Sequence, residues 1–466
     1  MVFASPVFLF GFFPIFYCIF YILGIWKNGK IQNLWILIGS LVFYSWGGVW
    51  ALLILLLSIL VNYCLGILIE DHISDGKAKV ILKIALFYNV LVLIFFKYTN
   101  FLVASILTVF GLEVPSQIAS IPLPIGISFY TFQIISYIVD VYKRRVKAQR
   151  NIINLGVYVA LFPQLIAGPI VRYIDIDKEI KDRKYDIVMF GDGLERFIYG
   201  LTKKLLIADV MGKAADYTFN NMAYDNSLIA WVGIVAYAFQ IYFDFSAYSD
   251  MAIGMGKMMG FHFLENFNYP YISLSVKEFW RRWHISLSSW FRDYVYIPLG
   301  GNRIGKTERN LMIVFFLTGL WHGASWNFIV WGLWHGMFLL LERHMGGKLE
   351  KVPKIVRWLY TFMCVEIGWV FFRADNLMQA MSYLRILFSF NSINFSYVGL
   401  ILDWQVIICF VASIILSFPI SKSERLRYMR RTSFVGLRVA VDLICYVLCI
   451  FFILGTKSNP FIYFKF

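Results

Sequence analysis

Apolar windows of about 18 to 20 residues, enough to cross the roughly 30 Å hydrocarbon core of a bilayer as a helix, recur along this chain from one end to the other. The first covers residues 7–25 and the last covers residues 434–454. Because 60% of the 466 residues are hydrophobic and only 15% are charged, a water-soluble fold of this size could not cover its apolar surface. The pattern predicts an all-α integral membrane protein that forms one membrane domain over residues 1–466.

Lys and Arg cluster in the short loops between the windows, which by the positive-inside rule marks those loops as cytoplasmic. The basic loops are residues 27–30, 77–83, 143–150, 281–309, 343–357 and 422–431. The windows between them then cross in pairs, so both termini are predicted to be extracytoplasmic, including the tail at residues 459–466. With short and interrupted windows included, we expect about 10 to 13 transmembrane or re-entrant helices. The same clustering accounts for the net charge of +15 without nucleic acid as a partner.

Two windows depart from a plain membrane span. Residues 154–167 are short and end at Gly168 and a following proline, a helix breaker, which predicts a partial or re-entrant segment. Residues 190–211 carry Lys203 and Lys204 within an amphipathic pattern, which predicts a helix lying at the membrane interface.

A further pair of windows predicts a helical hairpin. Residues 311–320 and 327–341 are each short for a span, and the outer ends of both adjoin basic loops. They meet at Trp321-His322-Gly323-Ala324, which places His322 at the turn, deep in the membrane. Ionisable side chains at such depth are costly and are functional by default. The candidates by this criterion are Asp140, Asp244, Asp250, His284, His322, His335 and Glu366.

His322 is the candidate catalytic residue. A neutral imidazole in a low-dielectric cavity can take a proton from an alcohol as the alcohol attacks a thioester, and no Ser, Cys or Lys nucleophile is then needed. Trp321 and Trp326 beside it are candidate substrate-binding residues. The alternative is a packing histidine hydrogen-bonded to a backbone carbonyl, and position alone leaves both open. His335 has less polar company and is expected to be structural.

A second histidine, His284, lies in the segment 278–288, which we predict to form one short helix. Before it, the segment offers anion-binding and stacking side chains together. These candidate substrate-binding residues are Trp280, Arg281, Arg282 and Trp283.

Asp244 and Tyr248 are four residues apart in the predicted span 227–248, and therefore share one helix face. They are candidates for substrate binding or a proton relay. The alternative is a structural ion pair between Asp244 and a nearby arginine, Arg281 or Arg282.

Two other patterns are set aside. Residues 300–307 match the G-x-x-x-x-G-K-[ST] pattern of phosphate-binding loops, but they lack the preceding buried strand and the soluble α/β domain that such a loop requires. The six cysteines all lie in apolar windows, with no C-x-x-C pair and no histidine at ligand spacing. We expect them to pack in the core, and we predict no metal site.

Several longer motifs, in the same order, resemble those of the membrane-bound O-acyltransferases, specifically the bacterial branch of alginate O-acetylation proteins. They are residues 1–6, 123–130, 162–169, 242–246, 278–288 and 319–326. The resemblance implies a ring of tilted helices around a thinned centre, with a cross-membrane tunnel. It also implies that His322 is the family's key histidine and that His284 is its second conserved polar residue.

The resemblance further implies a function. An acyl group, by preference acetyl, passes from a cytoplasmic thioester across the bacterial plasma membrane to an exopolysaccharide of the alginate or cellulose type, or to peptidoglycan. Acetyl-CoA is the expected donor, with an acyl carrier protein thioester as the alternative, and no bound cofactor is expected. The CoA phosphates are expected to meet Arg281, Arg282, Arg303 and Lys306. Membrane lipids and an extracytoplasmic transferase are the other expected partners.

Residues 461–466 are similar to the end of a small peptide that accompanies the D-alanyl transfer protein of teichoic acids. This similarity implies Tyr463 as a transient acyl acceptor, and the alternative is an aromatic anchor at the membrane interface. D-alanyl transfer to teichoic acid is therefore a second candidate function. A transporter of a cell-envelope precursor is a candidate from another class, although the inverted repeats typical of transporters are not evident in this sequence.

Overall fold

Helices make up every regular element in the part of the chain that the computed structural model describes, which is residues 1–112, 121–221, 226–303, 305–389, 399, 401–419, 435–455 and 461–462. Six of these helices are long and apolar enough to cross a membrane by length and composition: Val7–Gly24, Val49–Asp71, Ala78–Val109, Ser227–Met258, Lys354–Arg373 and Gly436–Gly455. The predicted all-α integral membrane fold is therefore confirmed. The expected total of about 10 to 13 transmembrane or re-entrant helices also included shorter or less apolar helices. That these helices enter the membrane stays a prediction.

Residues 1–197 and 251–264 form one compact unit. Its helices are α1 (Val7–Gly24), α2 (Gly29–Ser45), α3 (Val49–Asp71), α4 (Ala78–Val109), α5 (Ile127–Tyr142), α6 (Ile152–Ala160), α7 (Phe162–Leu165), α8 (Tyr173–Lys181) and the first part of α9 (Ile187–Thr202). Phe162 packs against Phe16 and Phe43, with ring centroids 5.0 and 5.5 Å apart. The buried amides of Asn62 and Asn89 hydrogen-bond each other and join α3 to α4, so that neither polar group is left unpaired in the apolar interior.

The interrupted window at residues 154–167 is confirmed as a partial segment. It consists of two short helices, α6 and α7, that are separated by Leu161. A Cβ atom on Gly168 would lie 2.5 Å from the Cα atom of Gln164. The chain can therefore turn back here only because residue 168 has no side chain.

Residues 198–250 and 265–466 form a second compact unit, and helix α11 supplies residues to both units. The helices that follow α9 are α10 (Asp209–Asn220), α11 (Ser227–Met258), α12 (Val276–Arg282), α13 (Ile285–Phe291), α14 (Thr307–His322), α15 (Trp326–Met345), α16 (Lys354–Arg373), α17 (Leu377–Leu387), α18 (Trp404–Leu416) and α19 (Val435–Gly455). Two π-helical turns interrupt this series, Lys203–Ala208 and Arg292–Tyr296.

The predicted hairpin is confirmed as α14 and α15, with His322 as the last residue of α14. The two helices approach closely at Gly319 and Gly332. A Cβ atom on Gly319 would collide with the carbonyl oxygen of Phe328, and one on Gly332 would collide with that of Phe315. These two glycines therefore set the spacing of the hairpin that presents His322.

The expectation of an interfacial helix at residues 190–211 is wrong for its two lysines. The π-helical turn Lys203–Ala208 directs Lys203 toward Asp250 and Lys204 toward Asp244, with N to O distances of 2.7 and 2.6 Å. Both carboxylates belong to α11. The lysines pair with carboxylates inside the unit because an unpaired ammonium group would be costly there.

Two further expectations need correction. The span predicted to end at residue 248 continues to Met258, because the residues that follow contain no proline and the chain reverses only at Gly260, where φ is +84°. Cys18 and Cys64 are exposed, whereas Cys364, Cys409 and Cys449 are buried. Cysteine is apolar enough to face lipid as well as a core, so its presence in an apolar window does not fix its direction.

Candidate active site

His322 is buried at the C-terminal end of α14, with 3% of its surface exposed. The edges of three aromatic rings surround the imidazole. The ring centroids of Trp321, Trp331 and Phe372 lie 4.8, 4.9 and 5.1 Å from that of His322. The imidazole therefore lies in a buried, largely aromatic setting.

His284 is fully buried, and it adopts a left-handed backbone conformation with φ +44° between α12 and α13. We predicted one helix over residues 278–288, and this prediction is wrong. The segment belongs to two helices with a break at Trp283 and His284. The preceding loop stabilises the break, because the backbone N–H of Ile285 donates to the carbonyl oxygen of Asn266 and the N–H of Asn268 donates to that of Arg282. Such strain in a non-glycine residue is characteristic of functional sites.

The side chain of Asn266 fixes the orientation of His284. Its Oδ1 atom accepts hydrogen bonds from the backbone N–H and the hydroxyl of Ser286, at 3.2 and 2.9 Å, and lies 3.1 Å from Nδ1 of His284. The Nδ2 atom of Asn266 donates to Ser249 Oγ at 3.2 Å, which leaves Oδ1 to face His284 and Ser286. In a neutral His284, Nδ1 must then carry the proton and Nε2 must carry the lone pair.

The two histidines lie close together. Their ring centroids are 6.5 Å apart, and Trp321 packs against both rings, with its centroid 5.8 Å from that of His284. Phe245 of α11 covers another edge of His284 at 4.6 Å. The structure thus brings together His284, His322 and Trp321, which the sequence offered as separate candidates, and places two buried imidazoles in one aromatic enclosure.

A cavity of about 620 Å³ lies between α12, α13, α14, α15 and the start of α16. Its charged lining is mainly basic and comprises Lys277, Arg281, Arg292, Arg343 and Arg357, together with Glu342 and Glu350. Trp280 also lines the cavity and contacts Trp331 at 5.6 Å, and Trp331 in turn contacts His322. An aromatic wall therefore runs from the basic cavity to the candidate catalytic histidine.

Glu342 connects the cavity to the fold of the segment that carries His284. Its carboxylate accepts hydrogen bonds from the backbone N–H groups of Val276 and Lys277, the first residues of α12. A carboxylate at a helix N-terminus compensates the unpaired N–H groups and the positive end of the helix dipole. The end of α15 thereby fixes the start of α12.

The predicted substrate-binding residues divide into two sets. Trp280 and Arg281 line the cavity, but Arg282 pairs with Glu278 at 2.8 Å and with the Asn268 carbonyl at 3.0 Å. Trp283 packs in an aromatic cluster with Trp369, at 4.9 Å. Trp326 begins α15 and is 54% exposed. His335, which we expected to be structural, is buried against Trp280 and Trp331.

Asp244 and Tyr248 do share one face of α11, as predicted. Asp244 pairs with Lys204, so the expected pairing with Arg281 or Arg282 is wrong. Its second oxygen, Oδ2, accepts the backbone N–H of Ile462 at 2.7 Å, and Tyr248 contacts the ring of Phe461 at 5.0 Å. Tyr463, the predicted acyl acceptor, lies outside the described residues.

The model of the membrane-bound O-acyltransferase (MBOAT) family matches residues 36–373, a range that includes both histidines and the whole cavity lining. The chain belongs to the membrane-bound O-acyltransferase family. A membrane acyltransferase is an enzyme, so family membership decides against the transporter alternative. The family's chemistry also agrees with the site, where buried imidazoles adjoin a basic cavity.

Three relatives of this membrane-bound O-acyltransferase indicate its branch. The protein named "Probable alginate O-acetylase AlgI" in Pseudomonas aeruginosa is 46% identical over 84% of this chain and 76% of its own length. The peptidoglycan O-acetyltransferase of Helicobacter pylori is 36% identical over 86% of this chain and 82% of its own. The teichoic acid D-alanyltransferase of Bacillus subtilis is 29% identical over 50% of this chain and 62% of its own.

Sequence reasoning missed several residues that build the candidate site. Asn266, which orients His284, lies in a loop and carries no charge. Neither helix periodicity nor the energetic cost of burying a charge in the membrane therefore singles it out. Arg292 was counted only among the basic residues of the loop 281–309, and Glu342 was not singled out. Lys204 was assigned to a membrane surface, although its proximity to an acidic residue at 209 was a usable signal for a buried ion pair.

Proposed function

We propose that this acyltransferase takes an acetyl group from a cytoplasmic thioester and passes it across the bacterial plasma membrane for O-acetylation of a cell-surface polysaccharide. Its acetylating relatives match most of the chain, whereas the D-alanylating relative matches half of it at lower identity. This difference favours acetyl over D-alanyl transfer. The acceptor polymer is an exopolysaccharide of the alginate or cellulose type, or peptidoglycan; the names of those relatives support alginate and peptidoglycan.

The observation that carries this proposal is the basic cavity with its aromatic wall. Five cationic side chains line it, of which Arg292 is paired with Asp293, and one of its two carboxylates, that of Glu342, is engaged by backbone N–H groups. A site of this charge suits the phosphates of CoA, which Arg binds as a planar, bidentate donor. Acetyl-CoA is the proposed donor. An acetylated acyl carrier protein that docks on the same basic face is the alternative.

The proposed chemistry uses His322 as a general base. The imidazole takes the proton of an acceptor hydroxyl as the hydroxyl oxygen attacks the thioester carbonyl carbon. The carbon–sulfur bond then breaks, and the proton passes from the imidazole to the departing thiolate, so that an ester and a free thiol result. If the acceptor hydroxyl belongs to this chain, its residue is the only one that this step modifies. His284 supports this step from within the same aromatic enclosure.

We propose Tyr463 as the first acceptor, in an extracytoplasmic tail at residues 459–466. A phenol ester is a better acyl donor than an alkyl ester, which suits onward transfer. An extracytoplasmic transferase would then move the acetyl group to the polymer. An interface anchor remains the structural alternative for this tyrosine, and the two differ in what a Tyr463→Phe variant does.

The experiment is intact-mass spectrometry of the purified protein after incubation with acetyl-CoA. We expect an increase by the mass of one acetyl group, with free CoA released, in the wild type and in Tyr446→Phe, a matched control in α19. We expect no adduct in Tyr463→Phe or His322→Ala. An adduct that persists in Tyr463→Phe would refute the tyrosine relay. If acetyl-CoA releases no CoA but acetylated acyl carrier protein yields the adduct, the acyl carrier protein is the donor.

A further inference from the structure

A buried ionic cluster joins the π-helical turn Lys203–Ala208 to α11. The ammonium group of Lys204 lies 2.8 Å from Asp209 Oδ1 and 2.6 Å from Asp244 Oδ1, and the lysine side chain is 2% exposed. Lys204 thus bridges two carboxylates, and Lys213 adds a positive charge near Asp209. The remaining carboxylate oxygens of such a cluster still need hydrogen-bond donors.

A further donor comes from near the end of the chain. The backbone N–H of Ile462 donates to Asp244 Oδ2 at 2.7 Å. The ring of Phe461 lies over the Lys204 ammonium, 4.7 Å from its centroid, and packs edge-on against Tyr248 at 5.0 Å. Phe461 and Ile462 are 1% and 6% exposed. A hydrogen bond, a cation–π contact and an aromatic contact therefore hold two successive residues.

The same stretch of α11 supports the histidine pair. Phe245, next to Asp244, contacts the ring of His284 at 4.6 Å. Ser249, next to Tyr248, accepts the hydrogen bond of Asn266, the residue that orients His284. Residues 461–462 and His284 are thus bound by adjacent side chains within about one and a half turns of one helix.

We propose that Lys204, Asp244 and Tyr248 form a tail seat that fixes the C-terminal segment beside the two histidines. These three residues are positioning residues. The tail seat rests on the proposed function in one respect, because it explains how an acceptor on that segment would be held. Asp244 and Tyr248 then serve the chain's own terminus, where we had expected substrate binding or a proton relay.

The contacts define what the tail seat recognises. Residue 462 is held through its backbone N–H, and its side chain is buried, so valine, which keeps the N–H and most of the buried surface, should replace isoleucine. Residue 461 is held through an aromatic face over an ammonium group, so tyrosine or tryptophan should replace phenylalanine, whereas leucine should not. A proline at 462 removes the donor without altering Lys204, Asp209 or Asp244.

The test is digestion of the detergent-solubilised protein with a carboxypeptidase, followed over time by intact-mass spectrometry. We expect trimming of the wild type to pause before residue 462. Ile462→Pro and Asp244→Ala should remove this pause, with loss of residues 461 and 462 at least about tenfold faster, as expected when a hydrogen bond to a charged group is lost. Ile462→Val, which retains the N–H and most of the buried side chain, should behave as the wild type.

A matched control is available on the same two elements. Lys203 pairs with Asp250 at 2.7 Å and lies over the ring of Tyr199 at 4.6 Å. Asp250→Asn removes a charge from a comparable ion pair six residues further along α11, and we expect it to leave the pause unchanged. Thermal unfolding of each variant identifies any that fail to fold, and Ile462→Pro keeps the test decisive if Asp244→Ala does.

The outcomes separate the tail seat from the acyl relay. Equal trimming of the wild type and Ile462→Pro would overturn the tail seat. Protection in the wild type, released by Ile462→Pro, with no acetyl adduct in either protein, would support the tail seat and refute the relay. An adduct formed at the same rate by the wild type and Ile462→Pro would refute the positioning role. His322→Ala should keep the pause, because the histidine is not a part of the tail seat.

Discussion

His284 and His322 lie with their ring centroids 6.5 Å apart, although one belongs to the break between α12 and α13 and the other ends α14. Trp321 contacts both rings. Two imidazoles therefore lie in one buried aromatic enclosure. The aromatic wall of Trp280 and Trp331 connects this enclosure with the basic cavity.

Replacement of His322 by alanine should reduce acetyl transfer about 10²- to 10⁴-fold, the range expected when a general base is lost. The rate of CoA release from acetyl-CoA, measured with a thiol reagent, checks this. The matched control is His335→Phe, because His335 is also buried among aromatic rings and packs as one of them. We expect that control to retain the rate, and equal losses in the two variants would contradict a catalytic role for His322.

Two neighbouring arginines should respond differently. Arg281→Ala removes an exposed cation that lines the cavity, so we expect KM for acetyl-CoA to rise about two- to fivefold with kcat unchanged. Arg282→Ala breaks the bonds to Glu278 and Asn268 that hold α12 in place. It should lower the temperature of thermal unfolding and leave KM unchanged. Steady-state kinetics together with unfolding curves distinguish them, and a KM effect confined to Arg282→Ala would refute our assignment.

Asn266 should matter more than any single partner that it binds. Asn266→Ala removes the acceptor shared by His284 and Ser286, so it should cost about 1 to 3 kcal/mol of stability and lower the rate of acetyl transfer. Ser286→Ala removes only one of these hydrogen bonds and should have a smaller effect on both. Ser289→Ala, which loses a local bond to the Ser286 carbonyl, serves as the control. The order of the three effects is the observation that checks this prediction.

The spacing of the α14–α15 hairpin should depend on Gly332. A methyl group there collides with the carbonyl oxygen of Phe315, so Gly332→Ala should destabilise the protein by about 1 to 3 kcal/mol and displace His322. Gly347→Ala adds the same methyl group where nothing lies within 4 Å. The temperature of thermal unfolding and the rate of acetyl transfer should both fall in Gly332→Ala and stay unchanged in Gly347→Ala. Equal values for the two variants would show that the helices can separate without cost.

Much of the fold could be predicted from the sequence, because a chain of apolar windows has few choices in a bilayer. Backbone polar groups must be satisfied within each segment, so such windows become helices. The hairpin was predictable for a related reason, since two short windows meet at a glycine beside His322. Gly168 marked the break after α7 in the same local way, and the ordered motifs indicated the family.

The partners across the second unit could not be predicted. Asp244 was assigned to an arginine and binds Lys204, and the break at His284 depends on hydrogen bonds to Asn266 from another segment of the chain. Arg281 and Arg282 are adjacent residues of the same type, so the sequence does not distinguish them. In the structure Arg281 lines the cavity, whereas Arg282 forms an ion pair with Glu278. Helix periodicity states which face a residue occupies, but the choice among several charged or polar partners depends on distances that only the packed helices set.

The sequence by itself therefore determined a helical membrane acyltransferase with His322 at a helical turn, because apolar length and motif order are local properties of the chain. The tertiary structure alone brought His284 to His322, assembled the basic cavity from several helices, and placed Ile462 against Asp244. These contacts join residues far apart in sequence. They exist because buried charges and N–H groups need partners, and the partners were available only after the helices packed.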